Sequence, residues 1–189
     1  MKTLIDPSAM PVTKPESQEL TFQIRPYTGP DAAMWNDFVA KARNSTFLFN
    51  RNYADYHADR FKDASLIITR GDKIAALFIA SANNDIISAH GGLTYGGLIL
   101  PLSGTTAPDV VEIMEEIADY YRKNGYRKLI YKHIPQIYCL APADDPVYAL
   151  FRMGASIKEV NLSTSINLSD TAAPGPNLYN QLTLPTNSR

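Results

Sequence analysis

The segment His90 to Gly97, His-Gly-Gly-Leu-Thr-Tyr-Gly-Gly, sets four glycines between two apolar runs and constrains this chain more than any other stretch. Glycine admits positive φ, bulges and the close approach of a ligand or a second strand, so the backbone here must pass close to something. The runs on either side, Asp85 to Ala89 and Gly97 to Leu100, read as two strands. The glycine segment is then their connection or a bulged edge.

The rest of the chain reads as alternating elements. Leu20 to Tyr27 alternates in strand fashion. Pro30-Asp31 then opens a helix from Ala32 to Arg43 with Met34, Trp35, Phe38, Val39 and Ala42 on one face. Arg51 to Phe61 is aromatic and charged, and suits a short helix or two turns. Ser65 to Thr69 and Ile74 to Ala80 flank Arg70-Gly71-Asp72-Lys73, which predicts an antiparallel hairpin. Thr106-Ala107-Pro108-Asp109 supplies an N-cap, an early proline and an acidic first turn. Behind it Val110, Ile113, Met114, Ile117 and Tyr121 repeat at helical spacing, and Arg122, Lys123 and Gly125 close the helix. A strand over Arg127 to Ile134, a short helix over Pro146 to Met153 and a last strand over Ser156 to Leu168 complete the order. The expected class is a mixed α/β (α+β) fold, a largely antiparallel mixed sheet covered by helices.

Length and composition suit one ordinary domain, with 45% hydrophobic and 20% charged residues among 189. The expected plan is a flexible lead-in over 1–19, a single domain over 20–168 and a flexible tail over 169–189 that carries Pro174-Gly175-Pro176. A net charge of -1 without a basic block points away from nucleic acid. Met1 to Glu19 mixes prolines with charges and reads as neither signal peptide nor anchor. No other run approaches the roughly 20 apolar residues that span a bilayer, so a cytoplasmic protein is expected. The single cysteine, Cys139 between Tyr138 and Leu140, excludes an internal disulfide and reads as a small buried apolar side chain. The histidines at 57, 90 and 133 lack metal-ligand spacing, and no metal is expected.

Taken in order, Phe47-Leu48-Phe49-Asn50-Arg51-Asn52-Tyr53, Tyr56-His57-Ala58-Asp59-Arg60-Phe61, the glycine segment and Tyr131-Lys132-His133-Ile134-Pro135-Gln136-Ile137-Tyr138 resemble a bacterial family. It is the GNAT superfamily of acyl-CoA N-acyltransferases, in the group related to the Fem-type aminoacyltransferases of cell-wall synthesis. The resemblance runs from about Trp35 to about Ile166 and covers the amino-terminal part of such proteins. It implies a GNAT-like sheet, an acetyl-CoA or other acyl-CoA cofactor, and a small-molecule amine acceptor of amino-sugar or aminoacyl type in envelope polysaccharide metabolism. The relatives continue into a second GNAT-like half, whereas here a polar tail follows; self-association or a separately supplied second half is one expectation from that difference.

The chain also departs from the family at the cofactor. In GNAT enzymes the coenzyme A pyrophosphate lies over an Arg/Gln-x-x-Gly-x-Gly/Ala turn whose amides open a helix. Arg152-Met153-Gly154-Ala155 places its glycine too early, and Gly91 to Gly97 opens onto a strand. Two readings follow: an N-acyltransferase module, or a non-catalytic GNAT-like half-domain that binds a ligand or a partner chain.

Acyl transfer to an amine needs a proton acceptor and donors for the developing oxyanion. His90 is the candidate base, with an intrinsic pKa near 6.5; the alternative is a histidine that ends a strand and bonds to a backbone carbonyl. Tyr95 is the candidate acid or positioning group, or a ring packed over exposed backbone. Thr94 offers a hydroxyl, and Gly91, Gly92 and Gly96 permit close approach. Arg51 and Arg60 offer forked guanidinium groups to a phosphate or carboxylate, and Tyr56 shares a helical face with Arg60. Lys132 and His133 end a strand at the sheet rim, where ligand groups collect.

Overall fold

A computed structural model describes residues 21–161. The expected lead-in over 1–19, the tail over 169–189 and the strand beyond Asn161 lie outside the described residues. The chain divides after Ala155. Residues 156–161 have no regular structure, so the strand expected from Ser156 does not form over its described part.

The strands are β1 (Phe22–Pro26), β2 (Lys62–Asp63), β3 (Leu66–Arg70), β4 (Lys73–Ile79), β5 (Ser81–Asn83), β6 (Ile86–Ser88), β7 (Gly97–Ile99) and β8 (Lys128–Ile130). The helices are α1 (Ala32–Lys41), α2 (Arg51–Ala54), α3 (Ala107–Lys123) and α4 (Asp145–Arg152). One sheet has the order β1-β3-β4-β7 and the other β2-β5-β6-β8. Every pairing among these strands is antiparallel except β6 with β8, which is parallel. The mixed α+β class and largely antiparallel sheet expected from the sequence are the ones observed.

The two sheets are consecutive stretches of the same path. β2 runs into β3, β4 runs into β5 through Ala80, and the β6–β7 path is broken by the His90 segment. Alternation along the central strands fills both faces. Leu66, Ile68, Ala76, Phe78 and Leu98 pack with Val110, Ile113, Met114, Ile117 and Tyr121 of α3 and Ala149 of α4. Ile67, Leu77, Ile79 and Ile99 pack the opposite way with Trp35 and Val39 of α1, Phe49, Leu93 and Tyr95. A strand covered on both sides must be apolar at successive positions, which is why β3 and β4 read as continuous apolar runs.

Local chemistry fixes the ends. Gly71 takes φ 60 in the two-residue β3–β4 turn, so Arg70 and Lys73 pair as strand residues rather than belonging to the turn. Thr106 and Asp109 form a full capping box on α3, and Gly125 at φ 87 follows its end. β5 escaped the sequence reading because Ser81-Ala82-Asn83 carries no apolar signal. β8 is shorter than the expected Arg127 to Ile134, because the neighbouring path leaves the ladder at His90 and regular pairing stops with it.

Asn44, 1% exposed, ties the end of α1 to the sheet: its amide donates to the Leu98 carbonyl at 2.9 Å and its Oδ1 accepts the Leu100 N–H at 2.8 Å. Removing that side chain orphans two buried backbone groups at about 1–3 kcal/mol each. Asn44→Ala is therefore expected to lower unfolding free energy by about 3 kcal/mol in urea titration, with the far-ultraviolet spectrum retained.

Candidate functional site

The site is built where the β6–β7 path leaves the sheet. Ala89 still donates to the Ile130 carbonyl at 2.8 Å, and Gly96 resumes contact by donating to the Lys132 carbonyl at 3.0 Å. Between them the chain loops out through His90, which adopts φ 50. A left-handed conformation is uncommon for a residue with a side chain, although histidine is among those that tolerate it. Three bonds hold the loop: Leu93 N–H to the His90 carbonyl at 3.1 Å, Gly91 N–H to Ser81 Oγ at 2.7 Å, and His90 N–H to the Ser88 carbonyl at 2.6 Å. Lys132 completes it, its ammonium donating to the His90 carbonyl at 3.1 Å and the Leu93 carbonyl at 2.7 Å.

The glycines have distinct reasons. A Cβ on Gly96 would lie 2.6 Å from the Ala89 carbonyl oxygen, which is backbone and cannot yield. A Cβ on Gly92 would meet the Phe61 ring at 2.5 Å, and one on Gly91 the same ring at 3.2 Å. Close approach, one of the readings the glycines allowed, is thus an approach to the chain's own backbone and to Phe61.

His90 is 4% exposed, its ring is tilted against Phe61 at 5.6 Å, and its Nδ1 has no hydrogen-bond partner. Burial lowers its pKa below the ordinary value; Asp63 and Asp55 act in the opposite sense, and Arg51 and Lys132 reinforce the lowering. The alternative expectation, an imidazole bonded to a backbone carbonyl, is not realised at Nδ1. Lys132 is itself lowered by burial.

Arg51 lies at the first position of α2 with its side chain 1% exposed. Its guanidinium stacks 3.5 Å over Tyr27 and 4.1 Å over Trp35, and Nη1 reaches Asp55 at 3.2 Å and Asp63 at 3.3 Å. Asp63 is fixed in turn by the Ser65 hydroxyl at 2.6 Å. Nε and Nη2 of Arg51 are buried without a partner.

The other sequence candidates separate from this group. Tyr95 is 9% exposed, stacks on Tyr138 at 5.3 Å, meets Phe49 edge-on at 6.0 Å and places its hydroxyl 3.5 Å from Thr46 Oγ1, a packed core position. Thr94 is exposed on the loop. Tyr56 and Arg60 are exposed on the turns after α2. His133 faces Asp144, its Nε2 3.2 Å from Oδ1. Cys139 is half-buried, its thiol donating to the Pro135 carbonyl at 3.7 Å. Asp55, Phe61, Asp63 and Ser81 join the site without any spacing signal in the sequence, because tertiary packing alone brings them to Arg51 and His90.

Two features bear on an acyl-CoA. A pyrophosphate at the start of α3 would need free amides, and that end is already taken by the chain's own carboxylate. Asp109 accepts the Thr106 N–H at 2.7 Å and its hydroxyl at 2.8 Å, Arg70 holds it at 2.8 Å, and Pro108 has no N–H to offer. Burial works against the Asp109 charge, but the Thr106 bonds and Arg70 outweigh it and lower its pKa. The second feature is the space between β7 and the chain after β8. The Tyr131 ring fills it, lying so close to Gly97 that a Cβ there would be 2.5 Å away, and its hydroxyl accepts the Leu98 N–H at 3.2 Å. These residues do not fit the phosphates or the thioester arm of coenzyme A.

No family model and no curated protein matches the chain. Among solved structures it is similar to the ribosomal-protein-S18-alanine N-acetyltransferase from Escherichia coli, at 14% identity and TM-score 0.43 over 58% of this chain. That alignment spans 64% of the acetyltransferase's own length. It is also similar to a mutant of TTHA1254 from Thermus thermophilus, at 13% identity and TM-score 0.45, over 77% of this chain and 97% of that one. Among the described residues, no group of side chains is arranged to hold a metal ion and no helix is long and apolar enough to cross a membrane.

The lowered His90 pKa has a measurable sign. Above the unfolded value near 6.5 both states are neutral there; as pH falls below it the unfolded chain takes a proton that the buried ring resists, so stability declines until the folded pKa is passed. Chemical denaturation between pH 5 and 8 is expected to show this decline in the native chain. The difference between the native chain and His90→Asn, a side chain that tolerates the same φ, isolates it.

Proposed function

We propose that this chain is a GNAT-like binding half of an N-acyltransferase system, which holds an amine acceptor at the His90 turn and does not bind an acyl-CoA by itself. The reading is carried by the Tyr131 hydroxyl, which accepts the Leu98 amide and fills the space between the two strand paths where a self-sufficient enzyme needs an open, V-shaped gap with free amides. The self-capped start of α3 supports it independently. The order of strands and helices and the resemblance of the Phe47, His90 and Tyr131 segments to GNAT-type proteins give the class.

In this reading His90, Gly91, Gly92, Thr94, Arg51 and Lys132 form or support the acceptor side, with Tyr56, Arg60 and His133 on neighbouring surface and Tyr95 packed behind the loop. The imidazole is neutral at ordinary pH, as a proton acceptor must be. The donor side is supplied by a second GNAT-like half or a second copy of the chain. Ile137, Tyr138, Leu140, Val147, Tyr148 and Phe151, all exposed within one stretch of chain, supply apolar surface for such a partner. The acceptor's identity as an amino sugar or aminoacyl compound and a bacterial envelope setting follow from the resemblance, and the cytoplasmic location is the expectation drawn from the sequence.

The alternative is an autonomous N-acyltransferase, favoured by a buried imidazole whose Nδ1 has no hydrogen-bond partner, beside a parallel strand pair. Calorimetric titration of the purified full chain with acetyl-CoA separates the two. No binding at millimolar cofactor is expected; saturable micromolar binding, with a matching rise in thermal stability, would establish the autonomous enzyme instead.

A further inference from the structure

Four buried side-chain nitrogens lack a hydrogen-bond partner among the described residues, and three of them belong to Arg51 and His90: Nε and Nη2 of the arginine and Nδ1 of the histidine. The fourth, Arg43 Nε, belongs to a guanidinium already paired with Asp145. Buried donors are almost always satisfied, because leaving one bare forfeits the bond it made to water. The two residues are joined through the structure, since Asp63, which holds Arg51, pairs in β2 with Ser81 of β5, whose hydroxyl holds Gly91 next to His90; three unpartnered nitrogens on this pair is a concentration that packing alone does not require.

The geometry of the arginine specifies the missing partner. Nη1 is occupied by Asp55 and Asp63, and the ring faces of Tyr27 and Trp35 hold the guanidinium plane. What is left is the edge formed by Nε–H and the Nη2 donors, two roughly parallel bonds in one plane. That edge matches the two oxygens of a carboxylate, and the match is lost with lysine.

We infer that the Nε/Nη2 edge of Arg51 is a carboxylate subsite, so that the amine acceptor bound by this chain also carries a carboxylate, as an amino acid or an aminoacyl compound with a free acid does. This rests on the acceptor-binding reading and narrows its substrate class. Asp55 and Asp63, partly exposed on the other side of the guanidinium, add negative charge suited to the ammonium end of such a molecule. The edge is closed to solvent. Asp55 on Arg51 Nη1 and Phe61 on the His90 ring bound the turn segment 55–61, and a ligand reaching the edge would have to displace part of this wall.

The test uses the full chain labelled with nitrogen-15, with sodium acetate as probe against sodium chloride at equal ionic strength. The Arg51 Nε–H resonance is expected to shift saturably with acetate in the millimolar range and not with chloride. Arg51→Lys, confirmed as folded from its backbone amide spectrum, is expected to lose the accompanying acetate-dependent thermal stabilisation by at least about tenfold in affinity. An Arg51 signal that does not move, or moves equally with chloride, overturns the subsite whatever the variant does. Tighter saturation by inorganic phosphate than by acetate overturns the carboxylate assignment in favour of a phosphate. Neither result touches the acetyl-CoA titration, so failure of this subsite leaves the binding-half reading standing, and failure of that reading is seen separately.

Discussion

One ammonium group determines the shape of the site. Lys132 donates to the carbonyls of both His90 and Leu93, the two ends of a turn in which His90 is left-handed and the Leu93 N–H donates back to the His90 carbonyl. That pair of bonds braces the turn where the strand is interrupted, where the His90 ring is buried against Phe61 and where regular pairing has ended at Ile130. A lysine so used is a structural cation: its desolvation, which lowers its pKa, is offset by two carbonyl dipoles.

The same commitment of donors recurs at the cofactor end of a GNAT-like plan. The Leu98 amide goes to Tyr131, the start of α3 goes to Asp109, and Asp109 goes to Arg70. Each of these groups is engaged by the chain itself. Three of the four buried nitrogens left without a partner among the described residues lie at Arg51 and His90, on the side proposed for the acceptor. A division of labour between two halves accounts for both facts with one assumption, whereas an autonomous enzyme would need Tyr131 and Asp109 to withdraw together.

Much of the fold was legible because its signals are local. The Gly71 turn, the Thr106 capping box, the α3 stripe and the Trp35–Val39 face each follow from residues a few positions apart, and each formed, the turn tighter than expected because Arg70 and Lys73 join the strands. The glycine segment was also legible as a place of close approach, but not what it approaches, since Phe61 and the Ala89 carbonyl meet Gly92 and Gly96 through tertiary packing. For the same reason Asp63, which touches Arg51 from β2, and Tyr131, which enters the gap beside Gly97, could not be read from spacing. Lys132 was expected to end a strand at the sheet rim; β8 stops at Ile130, and the partners of the Lys132 ammonium are carbonyls, which leave no trace in a sequence.

Amide hydrogen exchange on Lys132→Met probes the holding role of the ammonium most directly. Protection at Gly91 and Leu93 is expected to fall, while the β3–β4 hairpin and α3 keep theirs, because the ammonium holds the turn and little else. Unchanged exchange at Gly91 and Leu93, or a uniform loss across the chain, would show that the turn stands without Lys132 and would contradict the role given to it here.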